Sequence, residues 1–141
     1  MTGIPAHEMR SAIDALQALC DASPFIRFAG IRVIEVGEGR ARFRMPFRPE
    51  FERGTGQWHG GPIASLIDTA GCMALVAASG RGAGTIDFRT DYLRPATGPH
   101  LDAVAVVRRA GRTMGVADVD VLDENGRLVA AGRGSFFMER E

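Results

Sequence analysis

The sequence predicts an α+β fold in which one antiparallel β-sheet wraps around a single long helix. Three observations predict it. Residues 59–79 carry apolar side chains at helical spacing on nearly every face, and a helix of that kind belongs in an interior. Four β-like segments follow, joined by short turns, and strands so joined are antiparallel neighbours. Two more β-like segments precede the helix. One buried helix and one such sheet share a core when the helix lies on the sheet's concave face.

The elements follow in order. Residues 7–22 place Met9, Ile13, Leu16, Leu19 and Cys20 at helical spacing, with Glu8, Arg10, Asp14 and Gln17 elsewhere. This is the pattern of an amphipathic helix packed on the outside of the domain. Pro24 and Gly30 bracket a short turn or helical piece over 25–29. Residues 31–36 are β-rich, 37–39 form a turn, and 40–47 alternate. Ala41, Phe43 and Met45 share one face, and Arg40, Arg42 and Arg44 the other, a solvated one: a hairpin with one wet face. Residues 48–58 read as a polar, glycine-bearing loop.

The central helix opens at His59, Gly60 and Gly61, and Pro62 suits its first turn because the missing N–H has no helical partner there. Ile63, Leu66, Ile67, Ala70, Ala74 and Ala77 form one stripe, and Cys72, Leu75 and Val76 extend the apolar surface. The glycines and alanines of this helix are expected to let the sheet approach closely. Residues 80–84 are a turn. Residues 85–93 alternate, with Ile86, Phe88 and Tyr92 on one side and Asp87, Arg89 and Asp91 on the other. Strands over 101–108, 113–122 and 128–138 complete the chain. The last two are joined through Asn125-Gly126, a strong hairpin signal. No repeat or linker interrupts the 141 residues, which are expected to form one domain.

Composition narrows the function classes. The formal net charge is zero, so nothing favours nucleic acid or a membrane surface as partner. All 17 basic residues are Arg, so any anion site must use guanidinium groups. Cys20 and Cys72 stand far apart without metal-ligand spacing, and no disulfide framework is suggested. A reducing, cytoplasmic setting is the expectation. The N-terminal stretch lacks a basic run followed by an apolar one and does not read as a signal peptide. The charge-free part of the central helix, 69–80, is too short to span a bilayer. No ligand cluster implies a metal or redox cofactor.

One ionisable acid, Asp68, interrupts the apolar helix. A buried carboxylate without a partner is costly, which marks Asp68 as the leading functional candidate. His-Gly-Gly at the helix start, Asp68 nine residues after the His, and Asp91-Tyr92-Leu93-Arg94-Pro95 at the end of the next strand together resemble the hotdog-fold thioesterases. Within them, the pattern is similar to the phenylacetate-pathway thioesterase-like (PaaI-type) subfamily. The likeness runs from about residue 24 to residue 138. It implies hydrolysis of an acyl-coenzyme A thioester, with coenzyme A as part of the substrate and no separate cofactor. It also implies a homodimer with a continuous sheet, or a dimer of such dimers. An unpaired sheet edge points the same way.

The resemblance assigns roles residue by residue. Asp68 corresponds to the helix acid, acting as general base toward water or as direct nucleophile. Gly60 corresponds to the residue whose N–H polarises the thioester carbonyl, a role that suits a helix N-terminus. Gly60 and Gly61 also fit a demand for tight backbone geometry. His59 would shape the turn and hydrogen-bond near the site. Thr85 falls where the family often holds the water with Ser or Thr, and it also suits an ordinary strand position. Arg94, Arg108, Arg109 and Arg112 lie near strand ends where the family often meets coenzyme A phosphates. A solvated strand edge accounts for them equally well. One position departs: the family usually has Asn six residues before the His, where this chain has Arg53. Gln57 could supply an amide from a different place. That departure supports a rival reading, a non-catalytic acyl-CoA binding module on the same fold. A hotdog dehydratase would need a His–acid pairing on another motif, and the chain shows none.

Overall fold

His59 starts the central helix. Its backbone is extended, and its Nδ1 accepts the Gly61 N–H at 2.8 Å, satisfying one of the free donors of the first turn. Gly80 ends the helix in the left-handed conformation, at φ 69°, which costs an L side chain and suits glycine. In this computed structural model, which describes residues 3–141, the order is α1 (Ala6–Asp21), α2 (Pro24–Ala29), β1 (Arg32–Gly37), β2 (Arg40–Pro46), a 3₁₀ turn (Pro49–Phe51), α3 (Gly60–Ser79), β3 (Ala83–Tyr92), β4 (His100–Ala110), β5 (Met114–Leu122) and β6 (Leu128–Met138). Met1 and Thr2, part of the N-terminal stretch read above, lie outside the described residues.

The strands form one antiparallel sheet in the order β1-β2-β4-β5-β6-β3. Helix α3 packs against β2, β3, β4, β5 and β6. Those five strands span roughly 19 Å at the usual spacing, about twice the width of a helix, so the sheet must curl around α3 to reach it from both edges. This is the hotdog architecture, and it places β3 at an edge of the sheet with one side unpaired among the described residues. By length and composition alone α3 could cross a membrane. Its packing against five strands makes it the core helix of this fold instead.

The face of α3 that meets the sheet is Ile63, Leu66, Ile67, Ala70, Gly71, Ala74 and Leu75. Ala77, expected in the buried stripe, is exposed and lines a shallow depression with the α1 residues Ala12, Ala15 and Leu19. Close approach comes as much from the sheet as from the helix. A Cβ at Gly132 would sit 2.7 Å from Ile67, and one at Gly115 2.7 Å from Leu75. Helix α1 covers β1, with Leu16 and Cys20 buried, while Leu19 is 53% exposed and outside the contact. Gln17, expected on the polar face, is buried. Its amide donates to Ile31 O and accepts the Val33 N–H, so a polar side chain satisfies strand backbone beside the β1 edge.

On the outer face of the sheet the expected solvated arginine row is partly committed. Arg42 and Arg44 both donate to Asp102, whose side chain is only 2% exposed. Burial works against that charge, but the hydrogen bonds from Arg44 and Arg42 outweigh it and hold the carboxyl below its ordinary value. Arg133 and Arg108 clamp Asp118 in the same way and lower it to about 2. A carboxyl whose folded value is depressed leaves the unfolded chain binding more protons at low pH. Its stabilisation is present above the ordinary carboxylate range and is lost as pH falls from about 4 through about 2. The melting temperature is therefore expected to drop on acidification across that window. Asp118→Asn is expected to flatten the drop, which a series of thermal melts at graded pH reads directly. A variant as steep as the parent would remove Asp118 from the account.

Candidate active site

The N-terminus of α3 opens on a cleft of about 800 Å³. Two chain segments wall it. One is the loop 51–59, closed on itself by the Glu52–Trp58 bridge, by Arg53 N–H to Gln57 O at 2.9 Å, and by His59 N–H to Phe51 O at 2.6 Å. The other is the connection from β3 to β4, carrying Leu93, Arg94, Pro95 and Ala96. Trp58 ties the walls together. Its backbone N–H donates to Ala96 O and its indole Nε1 to Gly98 O, and its ring packs edge-on to Phe47.

Gly60 lies on this cleft as the first residue of the helix. Among the described residues its N–H has no partner. The other side of the residue is occupied: the Tyr92 hydroxyl donates to Gly60 O at 2.6 Å, and a Cβ on Gly60 would come within 3.1 Å of that hydroxyl. A side chain here would have to push Tyr92 back by a few tenths of an ångström. A free N–H at the positive end of a 20-residue helix suits a carbonyl oxygen that gains negative charge. His59, accepting at Nδ1, carries its ring proton on Nε2 and holds the turn.

Asp68 stands eight residues further on, about 12 Å along the axis, and does not line this cleft. The sequence expectation that it is buried needs correction. The sheet covers one face of α3 and leaves Ala64, Ser65, Asp68, Thr69, Cys72 and Met73 half-exposed. Its carboxylate is held by β3: Thr85 Oγ1 donates to Asp68 Oδ1 at 2.6 Å. A bulge makes this contact. Thr85 pairs with Phe136 and Asp87 with Ser135, so Ile86 is an extra residue. Ile86, expected on one side of the strand with Phe88 and Tyr92, is 55% exposed, and Thr85 is turned to the helix. One turn beyond Asp68, Cys72 donates its Sγ–H to Ala83 O. Burial, with some help from the Asp68 charge, pushes that thiol up to about 11. It stays protonated near neutral pH and is a packing residue rather than a nucleophile.

The arginines separate into three places. Arg53 and Arg94 both line the cleft with Gly60, Gly61 and Gln57. Arg108 is on the outer sheet face with Asp118, and exposed Arg109 and Arg112 flank the β4–β5 turn, where Arg112 lines a different depression. Neighbours in sequence across a strand end thus fall on different surfaces.

A thioesterase superfamily model matches residues 55–130, just over half of the chain, including the start of α3, Asp68 and Thr85. The chain belongs to the thioesterase superfamily. The relatives named here cover from 74% to 100% of it. A Halobacterium salinarum protein, described only provisionally as an esterase, is 37% identical over 100% of this chain and 99% of its own length. The Escherichia coli acyl-coenzyme A thioesterase PaaI is 37% identical over 74% of this chain and 75% of its own. A solved thioesterase-superfamily structure superposes with a TM-score of 0.87 at 33% identity, covering 92% of this chain and 99% of that one. Against this superfamily background, sequence reasoning missed two side chains of the cleft. In sequence Tyr92 reads only as a strand residue, although it lies within the Asp-Tyr-Leu-Arg-Pro signature. Trp58, the lone tryptophan, reads in sequence only as the end of a loop. An aromatic beside a His-Gly-Gly turn is a signal that could have placed it.

Proposed function

We propose that the protein hydrolyses acyl-coenzyme A thioesters in a site assembled across a homodimer. The observation that carries this reading is the Asp68–Thr85 pair, a half-exposed carboxylate oriented by a hydroxyl and the one charged side chain on α3. A protein that only binds has no use for such a group. The half-open face of α3 and the free edge of β3 are surfaces a second copy would cover. Antiparallel packing of two α3 helices about a two-fold axis would set the start of one beside the middle of the other.

In this mechanism the thioester carbonyl oxygen sits on the Gly60 N–H. Asp68 of the other copy takes a proton from water, whose oxygen attacks the carbonyl carbon. The tetrahedral intermediate's negative charge rests on the Gly60 N–H and the helix N-terminus. The C–S bond then breaks, the carboxylic acid forms, and the sulfur leaves as the thiolate of coenzyme A. Direct attack by the Asp68 carboxylate is the variant of this scheme, passing through an anhydride that water opens. Thr85 holds Asp68 in place and keeps lone pairs that can orient the water.

The test is a panel of short, long and aromatic acyl-CoAs followed by thiol release, with turnover expected on at least one class. Arg53, where the family usually has Asn, is the feature that favours a non-catalytic acyl-CoA binding module. Tight acyl-CoA binding with no thiol release across the panel would establish that reading.

A further inference from the structure

Most clamped arginines of this protein have visible partners: Arg42 and Arg44 on Asp102, Arg108 and Arg133 on Asp118. Arg53 and Arg94 are different. They stand on opposite walls of the α3 cleft, and neither pairs with a carboxylate among the described residues. Arg53 makes one long contact, Nη1 to Gln57 Oε1 at 3.5 Å, and Arg94 one, Nη1 to Leu128 O at 3.1 Å. A guanidinium has five N–H donors, so most remain unused on each. Between them the cleft is lined by Trp58, Ile63 and Pro95.

We propose that Arg53 and Arg94 form a receptor for a carboxylate carried on the acyl group of the substrate, so that the preferred thioesters are half-esters of short dicarboxylic acids. The proposal rests on the hydrolytic reading above for the word substrate, and on the cleft alone for the carboxylate. Position argues for the acyl group over the phosphates of coenzyme A. Both arginines are anchored close to Gly60. Arg53 pairs with Gln57, three residues before Gly60 and therefore at most about 10 Å from it along the chain. Arg94 follows by two residues Tyr92, whose hydroxyl bonds Gly60 O. The pantetheine arm, extended, puts the phosphates roughly 15 Å from the sulfur, the reach of about four residues. An acyl chain of a few carbons puts a terminal carboxylate well inside that distance. The planar fork of each guanidinium also matches carboxylate geometry.

The test uses thioethers, which cannot be hydrolysed, so that binding is read apart from turnover. Coenzyme A and pantetheine are each alkylated on sulfur with a short chain ending in a carboxylate or with the matching neutral chain. The four compounds are titrated calorimetrically into the wild-type protein, Arg53→Lys, and the Arg53→Gln/Arg94→Gln double variant. The expected wild-type result is a preference of about tenfold or more for the carboxylate chain on both carriers. The ratio should fall to about one in the double variant and stay above one in Arg53→Lys. Both side chains lie at the rim of an open cleft, and circular dichroism confirms that the variants fold. A wild-type ratio of one overturns the proposal. So does an affinity loss in the double variant that is equal for both chains and disappears on pantetheine, because the pair would then read phosphates. Turnover of the matching thioesters is measured in parallel. A carboxylate preference without thiol release refutes hydrolysis and leaves the receptor standing; thiol release without the preference does the reverse.

Discussion

Asp68→Asn is expected to lower kcat on an acyl-CoA by about 10²–10⁴-fold, the usual contribution of a positioned general base. The amide keeps the shape of the carboxylate, and its Oδ1 can still accept from Thr85 Oγ1, so the contact at 2.6 Å survives. What it lacks is basicity. The residue is half-exposed and makes no ion pair among the described residues, so the fold has little at stake and the melting temperature should move by a few degrees at most. KM should change little, since the lost interaction belongs to the transition state. Steady-state kinetics beside a thermal melt separate the two effects. An unchanged kcat would move the chemistry away from Asp68 and return the protein to the binding-module reading.

Mixing two inactive variants should restore activity. Gly60→Pro removes one N–H while asking little of the backbone, because proline's fixed φ suits the first helical position and His59 already has the extended conformation that precedes proline. The added carbons meet Tyr92, which can give way at the cleft surface. Asp68→Ala removes the acid. Each homodimer is then dead at both sites. In a mixed dimer one site joins the Gly60 of one copy to the Asp68 of the other, and the second site has neither. The mixed dimers isolated by tandem purification have half of their sites working, roughly half of the wild-type rate for C₂ pairing. The measurement is thiol release after co-expression of two differently tagged chains and tandem purification. Mixed dimers as inactive as either parent would mean that one chain holds the whole site.

Local patterns carried much of the fold. The helical spacing of 59–79, the alternation of 40–47 and the Asn125-Gly126 turn each determine a conformation within a few residues, and all three elements stand in the structure. Strand order was not legible. β2 lies beside β4 and β3 beside β6, pairings that depend on how the whole sheet closes around α3. Burial was legible only where it is local. Gln17 goes inside because the backbone at Ile31 and Val33 needs partners, a demand invisible from α1. Asp68 looked buried because its helix is apolar on all sides, yet one chain covers only one side. Of the cleft, the His-Gly-Gly turn was plain in the sequence. Tyr92 was not, because its role arises from a 2.6 Å contact across 32 positions of chain.

The Ile86 bulge sets a constraint of length rather than of identity. Thr85 and Tyr92 are seven positions apart, an odd number, and in an unbroken strand an odd separation puts two side chains on opposite faces. Here both meet α3, one at Asp68 and one at Gly60, because a single surplus residue resets the alternation between them. The strand behaves as a frame of reading. Exchange of Ile86 for another residue leaves the frame intact. Deletion of one residue between 85 and 92 leaves an even separation, so both contacts survive only if the bulge is lost with it; with the bulge retained, the same strand could serve Gly60 or Asp68 but not both.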